Sequence, residues 1–238
     1  MITVPGSWFY LSRNLDLVTK EEALSTTMSS ASSRPVLHYL ELGTLGRGEV
    51  VRLFLNDAGI DFEDIRYAYD HTWAATSAEL QAKGLTVTGK VPVLEFNGTI
   101  LTQHIPILRY LARELNDYDG QTSLEKWVVD AVSDIYIDWR TQYVANLENA
   151  SDSFKNKYTP EYYNILSHYY SQRGGPFLLG DRATYADFVI YQSLDDDRKT
   201  STLPETLPGA IVAFKEAFES RPRVKAYLES RRNMNINK

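Results

Sequence analysis

The feature that most constrains this chain is a single change of period. Strand-like alternation stops near residue 101, and almost everything after residue 122 repeats at helical spacing. Strands gathered in the first half and helices in the second predict an α/β unit followed by an all-α unit. Within the first half, Val36-Leu37-His38-Tyr39-Leu40 reads as a strand. Val50, Val51, Phe54, Leu55 and Ala58 then form one face of a helix that Gly59 ends. Ile65, Tyr67 and Tyr69 alternate as a second strand, and the stretch from Asp70 to Gly89 reads as less regular. Val91 to Phe96, Asn97-Gly98 and Thr99-Ile100-Leu101 read as strand, tight turn and strand. A helix carrying Ile105, Leu108, Leu111, Ala112 and Leu115 closes the unit.

In the second half, Leu124, Trp127, Val128, Ala131, Ile135 and Trp139 recur at helical spacing. Further helices are expected at about 161–172, 185–194, 210–218 and 223–231. The expected organisation is an N-terminal extension at 1–34, an α/β domain at 35–115, a linker at 116–122 and a helical domain at 123–238. The extension carries an apolar knot at Trp8 to Leu11 and a Ser/Thr-rich run before Arg34.

Several function classes drop out on residue type. With 25 basic against 31 acidic residues the formal charge is −6, which argues against a general nucleic-acid binder. No apolar run approaches the roughly 20 residues of a membrane-spanning helix, so no membrane partner is expected. The chain has no cysteine, which excludes disulfides, thiolate metal sites and a protein thiol nucleophile, and fits a reducing, cytoplasmic compartment. His38, His71, His104 and His168 are never four apart and no HExxH occurs, so no metal site is expected. Gly43, Gly46 and Gly48 match neither phosphate-loop pattern, and there is no GxSxG elbow.

Three local features carry chemistry. Pro92 cannot donate to a ladder, so Val91-Pro92 is either a simple edge or a cis turn that leaves the main chain of Val91 free for an extended ligand. Tyr39 ends the first strand beside the glycine turn, either covering the core or donating its hydroxyl to an anion. Thr184 and Asp187 have the spacing of a capping box, a folding feature.

Taken in order, these segments resemble one family. Leu37 to Leu40 followed by Gly46-Arg47-Gly48-Glu49, the Val91-Pro92-Val93-Leu94 hairpin with Leu101-Thr102-Gln103-His104, Ile107 to Ala112, and the Thr184 box are similar to the cytosolic glutathione S-transferases. The likeness runs from about Val36 to Leu228 and is nearest the tyrosine-type branch that includes the sigma class. It implies a thioredoxin-like first domain, a helical second domain, glutathione as the cofactor and a homodimer. By position, it implies that Tyr39 stabilises the glutathione thiolate, with Arg47 near the sulfur. It implies that Trp73 meets the glycyl end, that Lys90 and Val91 are the glutathione-binding pair beside the cis-proline, and that Val91, held by Pro92, pairs with the cysteinyl main chain. Gln103 would hold the γ-glutamyl carboxylate, with His104 standing where the family usually has serine. Asp134 would reach the γ-glutamyl amine across a dimer, with Asp130 as the competing residue.

The second-substrate pocket is expected between the Leu40–Leu45 loop and the first long helix, walled by Tyr136, Trp139, Arg140 and Tyr143. Trp139 packing inside the helical domain is the equal alternative. The implied activity is attack of glutathione thiolate on an apolar electrophile. The alternatives are a glutathione-dependent cis–trans isomerase of a conjugated alkene and a non-catalytic binding protein. The basic tail of Arg221, Arg223, Lys225, Arg231 and Arg232 reads as a solvated helix face.

Overall fold

A computed structural model describes residues 34–236, with side chains through Arg231. The N-terminal knot and Ser/Thr run lie outside the described residues. Four strands form one sheet in the order β2-β1-β3-β4: β1 (Val36–Leu40), β2 (Glu63–Tyr67), β3 (Val93–Phe96) and β4 (Thr99–Thr102). β1 runs parallel to β2, and that pairing needs the crossover supplied by α1 (Arg47–Ala58). β3 lies antiparallel to both β1 and β4. Asn97 and Gly98 close the hairpin with φ of 48° and 75°, the left-handed pair that a two-residue turn demands. The Val91–Pro92 bond is cis.

The stretch read as irregular holds α2 (Trp73–Ala82). Its sequence has no apolar face, and Leu80 is its one buried residue, so periodicity could not reveal it. Its start is set instead by Asp70, whose carboxylate accepts the N–H and the hydroxyl of Thr72 at 2.8 and 2.7 Å. α3 (His104–Glu114) follows β4 and buries Ile107, Leu108 and Leu111 against the sheet side of the core.

The second half is helical throughout: α4 (Ser123–Ala145), α5 (Thr159–Tyr170) after a π-helical turn at Phe154–Tyr158, α6 (Tyr185–Lys199), α7 (Gly209–Ser220) and α8 (Pro222–Ile236). α6 is the central helix. It packs against α1, α3, α4 and α7, so nearly all its side chains are buried. Its start is tied by Asp187, whose carboxylate accepts from the N–H and hydroxyl of Thr184 (2.6 and 2.8 Å), the N–H of Leu178 (3.1 Å) and the Tyr170 hydroxyl (2.8 Å). No helix among the described residues is long and apolar enough to cross a membrane.

The basic tail is only partly a solvated face: Arg223 and Lys225 are exposed, whereas Arg231 and Arg221 turn inward. Arg231 is buried, pairing with Glu49 of α1 at 2.7 Å and Asp195 of α6 at 3.2 Å. Arg221 pairs with Asp57, and Arg223 donates to the carbonyl of the same residue. These cations neutralise carboxylates that α1 and α6 bury, and a count of local charge in one helix cannot see partners on other helices, 36 to 182 residues away. The side chain of Arg232 lies outside the described ones.

Candidate active site

Where α1 begins, the chain is bent back against β1 by Gly46 and Gly48. Gly46 has φ of 79°, which an L side chain rarely adopts. A Cβ on Gly46 would stand 2.8 Å from the Tyr39 hydroxyl and 3.2 Å from Nη2 of Arg140. A Cβ on Gly48 would overlap the Tyr39 ring. The two glycines therefore let the phenol lie flat against the start of the helix. In that position the Tyr39 hydroxyl accepts the main-chain N–H of Arg47 at 3.0 Å.

Tyr39 is only 4% exposed. Burial pushes its hydroxyl above the usual phenol range, opposed by the Arg140 charge and the N–H groups of Arg47 and Gly48. A phenol held protonated at neutral pH is a hydrogen-bond donor, not a base. With its lone pair occupied by Arg47, its proton is free for a guest.

That guest has a place to sit. Tyr39 lines a cavity of about 440 Å³ together with Arg47, Trp73, Lys90, Val91, Pro92 and Gln103. No described residue takes the main-chain N–H or C=O of Val91 as a partner. Gln103 holds φ of 67° at the N-cap of α3, a strained position for a non-glycine residue. The strain puts the open N-terminus of α3 at the cavity edge, where main-chain N–H groups favour a carboxylate. The other half of the cavity is apolar: Leu40, Leu42, Val144 and Leu147, with Arg140 between them and Tyr69 at the rim. Tyr69 stands edge-on to Trp73, their ring centres 6.5 Å apart.

The arrangement differs from expectation in two ways. First, Tyr136 and Trp139 are fully buried and Tyr143 nearly so, and none lines the cavity. Trp139 follows the alternative weighed for it, stacking on Tyr143 and Tyr162 at 4.8 and 5.5 Å inside the helical core. Spacing along α4 placed them on one broad face, but the cavity takes only the edge of that face that carries Arg140 and Val144. Leu45 is half-buried and also stays out of the wall, its place taken by Leu42. Val144 and Leu147, exposed apolar residues four and seven beyond Arg140, were the missed signal.

Second, His104 points away from solvent. It is 3% exposed and packs edge-on to Tyr136 at 5.7 Å. Burial, reinforced by the charges of Arg47 and Arg140, lowers its pKa to about 3, so the ring is neutral. Its side chain does not line the cavity, which leaves its main-chain N–H at the helix start as the group available there. Asp130, the competing residue for the γ-glutamyl amine, is committed to Arg109 at 2.6 Å and to the Tyr185 hydroxyl at 2.5 Å. Asp134 is exposed on α4 and does not line the cavity of its own chain.

The fold and this site correspond to a known family. The family model "Glutathione S-transferase, N-terminal domain" matches residues 35–113, and "Glutathione S-transferase, C-terminal domain" matches 137–231. The chain is 30% identical over 203 residues to Glutathione S-transferase P 10 of Caenorhabditis elegans, covering 83% of this chain and 92% of that one. It is 34% identical over 207 residues to Glutathione S-transferase 2 of Manduca sexta, covering 82% and 95%. A solved Pi-class glutathione S-transferase from Onchocerca volvulus superposes with TM-score 0.74 at 25% identity, covering 85% of this chain and 95% of that one. A glutathione S-transferase from Necator americanus described as monomeric superposes with TM-score 0.69 at 25% identity, covering 83% and 97%. The chain belongs to the glutathione S-transferase family, with its thioredoxin-like first domain and helical second domain.

Proposed function

We propose that this protein activates the thiol of glutathione for attack on an apolar electrophile. The observation that carries the reading is the Tyr39 hydroxyl: protonated, accepting from the N–H of Arg47, and open to the same cavity as the unpaired main chain of Val91. Glutathione lies extended along Val91, its sulfur accepting from Tyr39 and its γ-glutamyl carboxylate at Gln103 and the N–H of His104. Trp73 and Lys90 flank the glycyl end, and the side chain of Arg47 adds positive charge near the sulfur. The electrophile occupies the half formed by Leu40, Leu42, Val144 and Leu147. Asp134 reaches the γ-glutamyl amine in a second copy of the chain, which makes the working form a homodimer in the cytoplasm. The monomeric relative is the contrary precedent.

Tyr39 does less than its position suggests. A free thiol of pKa ~8.5 is about 3% ionised at pH 7. Lowering that by ~2 units makes about three quarters ionised. Nucleophilicity falls with pKa at a slope of ~0.45, roughly eightfold here, so the net gain is only about threefold. The larger share comes from holding sulfur and electrophile in contact, which supplies up to several kcal/mol.

Thermal unfolding with glutathione tests the reading. At about 100 times its Kd, glutathione adds about 2.7 kcal/mol of stability. An unchanged midpoint at millimolar glutathione removes the assignment. The isomerase alternative is separated by stoichiometry, since glutathione is consumed in conjugation and regenerated in isomerisation.

A further inference from the structure

We propose that Arg140 is the oxyanion-binding residue of this site, and that it selects electrophiles whose attack places negative charge on an oxygen, namely α,β-unsaturated carbonyl compounds. The inference rests on the glutathione reading above and deepens it.

Arg140 stands in an otherwise apolar cavity wall and is 8% exposed. A guanidinium carries five N–H donors. Only Nη1 is satisfied here, by Asp196 at 3.0 Å, and the group lies over the Tyr143 ring at 4.9 Å. Nε is buried with no partner, and no described residue accepts from Nη2. A cation this enclosed, with donors unspent, is arranged for an acceptor that arrives with the substrate. Its position is fixed from behind. Asp196 also accepts from the N–H of Gly46 at 3.3 Å and from Gln192 at 2.7 Å, so α6 holds Arg140 and the Tyr39–Gly46 turn together. Nη2 of Arg140 and the Tyr39 hydroxyl both lie within 3.2 Å of the point over Gly46 where a Cβ would stand.

The sulfur lone pair forms the C–S bond at the β-carbon. The alkene pair moves to join the α-carbon to the carbonyl carbon, and the carbonyl pair goes to oxygen. Charge thus passes from sulfur beside Tyr39 to oxygen beside Arg140. Water then gives the α-carbon a proton, and the proton released by the thiol on ionisation neutralises the hydroxide left. Expulsion of sulfur from the same enolate, after rotation, would return an isomerised alkene.

The test compares glutathione-dependent rates with an alk-2-enal and with benzyl chloride, whose displaced charge leaves on chloride. In Arg140→Met, kcat/KM for the enal is expected to fall at least tenfold further than for benzyl chloride, chiefly in kcat, with Arg140→Lys recovering part of the difference. Equal losses for both electrophiles overturn the proposal, as does a wild-type protein that turns over benzyl chloride but not the enal. A measurement needing no variant stands beside it. The wild type should bind S-(2-carboxyethyl)glutathione, which carries a carboxylate where the enolate would form, at least tenfold more tightly than S-propylglutathione. Equal affinities overturn the assignment of Arg140, while failure of both to bind removes the glutathione reading itself.

Discussion

The Tyr39 hydroxyl accepts the N–H of Arg47 at 3.0 Å and no described residue accepts from it, which leaves its O–H to donate to a guest in the cavity. The phenol is a donor by construction, and its effect should therefore depend on pH in a particular way. In Tyr39→Phe, glutathione binding is retained and kcat/KM at pH 7 falls about threefold, because the bound thiol returns toward ~8.5. Above that pH the variant equals or exceeds the wild type, since its thiolate is the stronger nucleophile. Rate profiles from pH 6 to 10 check this; a constant ratio across the range would contradict it.

Gly48 is a stricter requirement than the hydroxyl itself. A Cβ there would stand 2.7 Å from Tyr39 Cβ and overlap the ring, whose strand cannot yield. Gly48→Ala should cost on the order of 1–3 kcal/mol as an overpacking change. It should also lower activity more than Tyr39→Phe does, because it displaces the whole phenol. Denaturant melts and initial rates on the same preparations measure both.

His104 is neutral across the physiological range, its pKa lowered to about 3 by burial and by the nearby arginines. Its ring packs on Tyr136 and its Nε2 has no partner. His104→Phe keeps the ring contact and removes the orphaned nitrogen. The variant should match the wild type in glutathione affinity to within about threefold, or ~0.7 kcal/mol. A tenfold loss by calorimetry would show that the imidazole itself holds the ligand.

Asp197 is buried under Thr202 and Tyr163, which donate to it at 2.6 and 2.7 Å. Burial raises it from 3.8 to about 6. The folded chain thus binds this proton more tightly than the unfolded chain, so Asp197 supports the fold at pH 4 and loses that support as pH rises through 6. Asp197→Asn lacks the transition. Its stability relative to wild type should rise between pH 4 and 7, by at most about 3 kcal/mol for two pK units. Chemical denaturation of both proteins at the two pH values checks the sign, and a gap independent of pH would contradict it.

The sheet, the hairpin and most helices were legible because local signals agree with the fold: Asn97-Gly98 demands its turn, and Thr184 with Asp187 caps α6. Tyr39 and Val91 stood out in the sequence as a strand-end phenol and the residue before a strand-start proline, whereas Gln103 was singled out only by the family resemblance; the structure brings all three to one cavity. The electrophile half was less legible. Periodicity places Tyr136, Trp139, Arg140 and Tyr143 on one face of α4, yet a face wide enough for two neighbours does not say which side chain meets which. Arg231 looked like surface charge because its partners, Glu49 and Asp195, come from other helices, and the Asp196 that anchors Arg140 was invisible for the same reason. The link from Asp196 to Gly46 spans 150 residues and has no local signature. α2 escaped because a helix with one buried residue leaves no period to read.

The central claim is that the Tyr39 hydroxyl donates a hydrogen bond to the thiolate sulfur of a glutathione lying along Val91. Titrating the thiolate absorbance of protein-bound glutathione tests it most directly. The wild type should show a thiol pKa about 2 units below the free value of ~8.5, and Tyr39→Phe a value near that of the free thiol. The same pKa in both proteins would contradict the account.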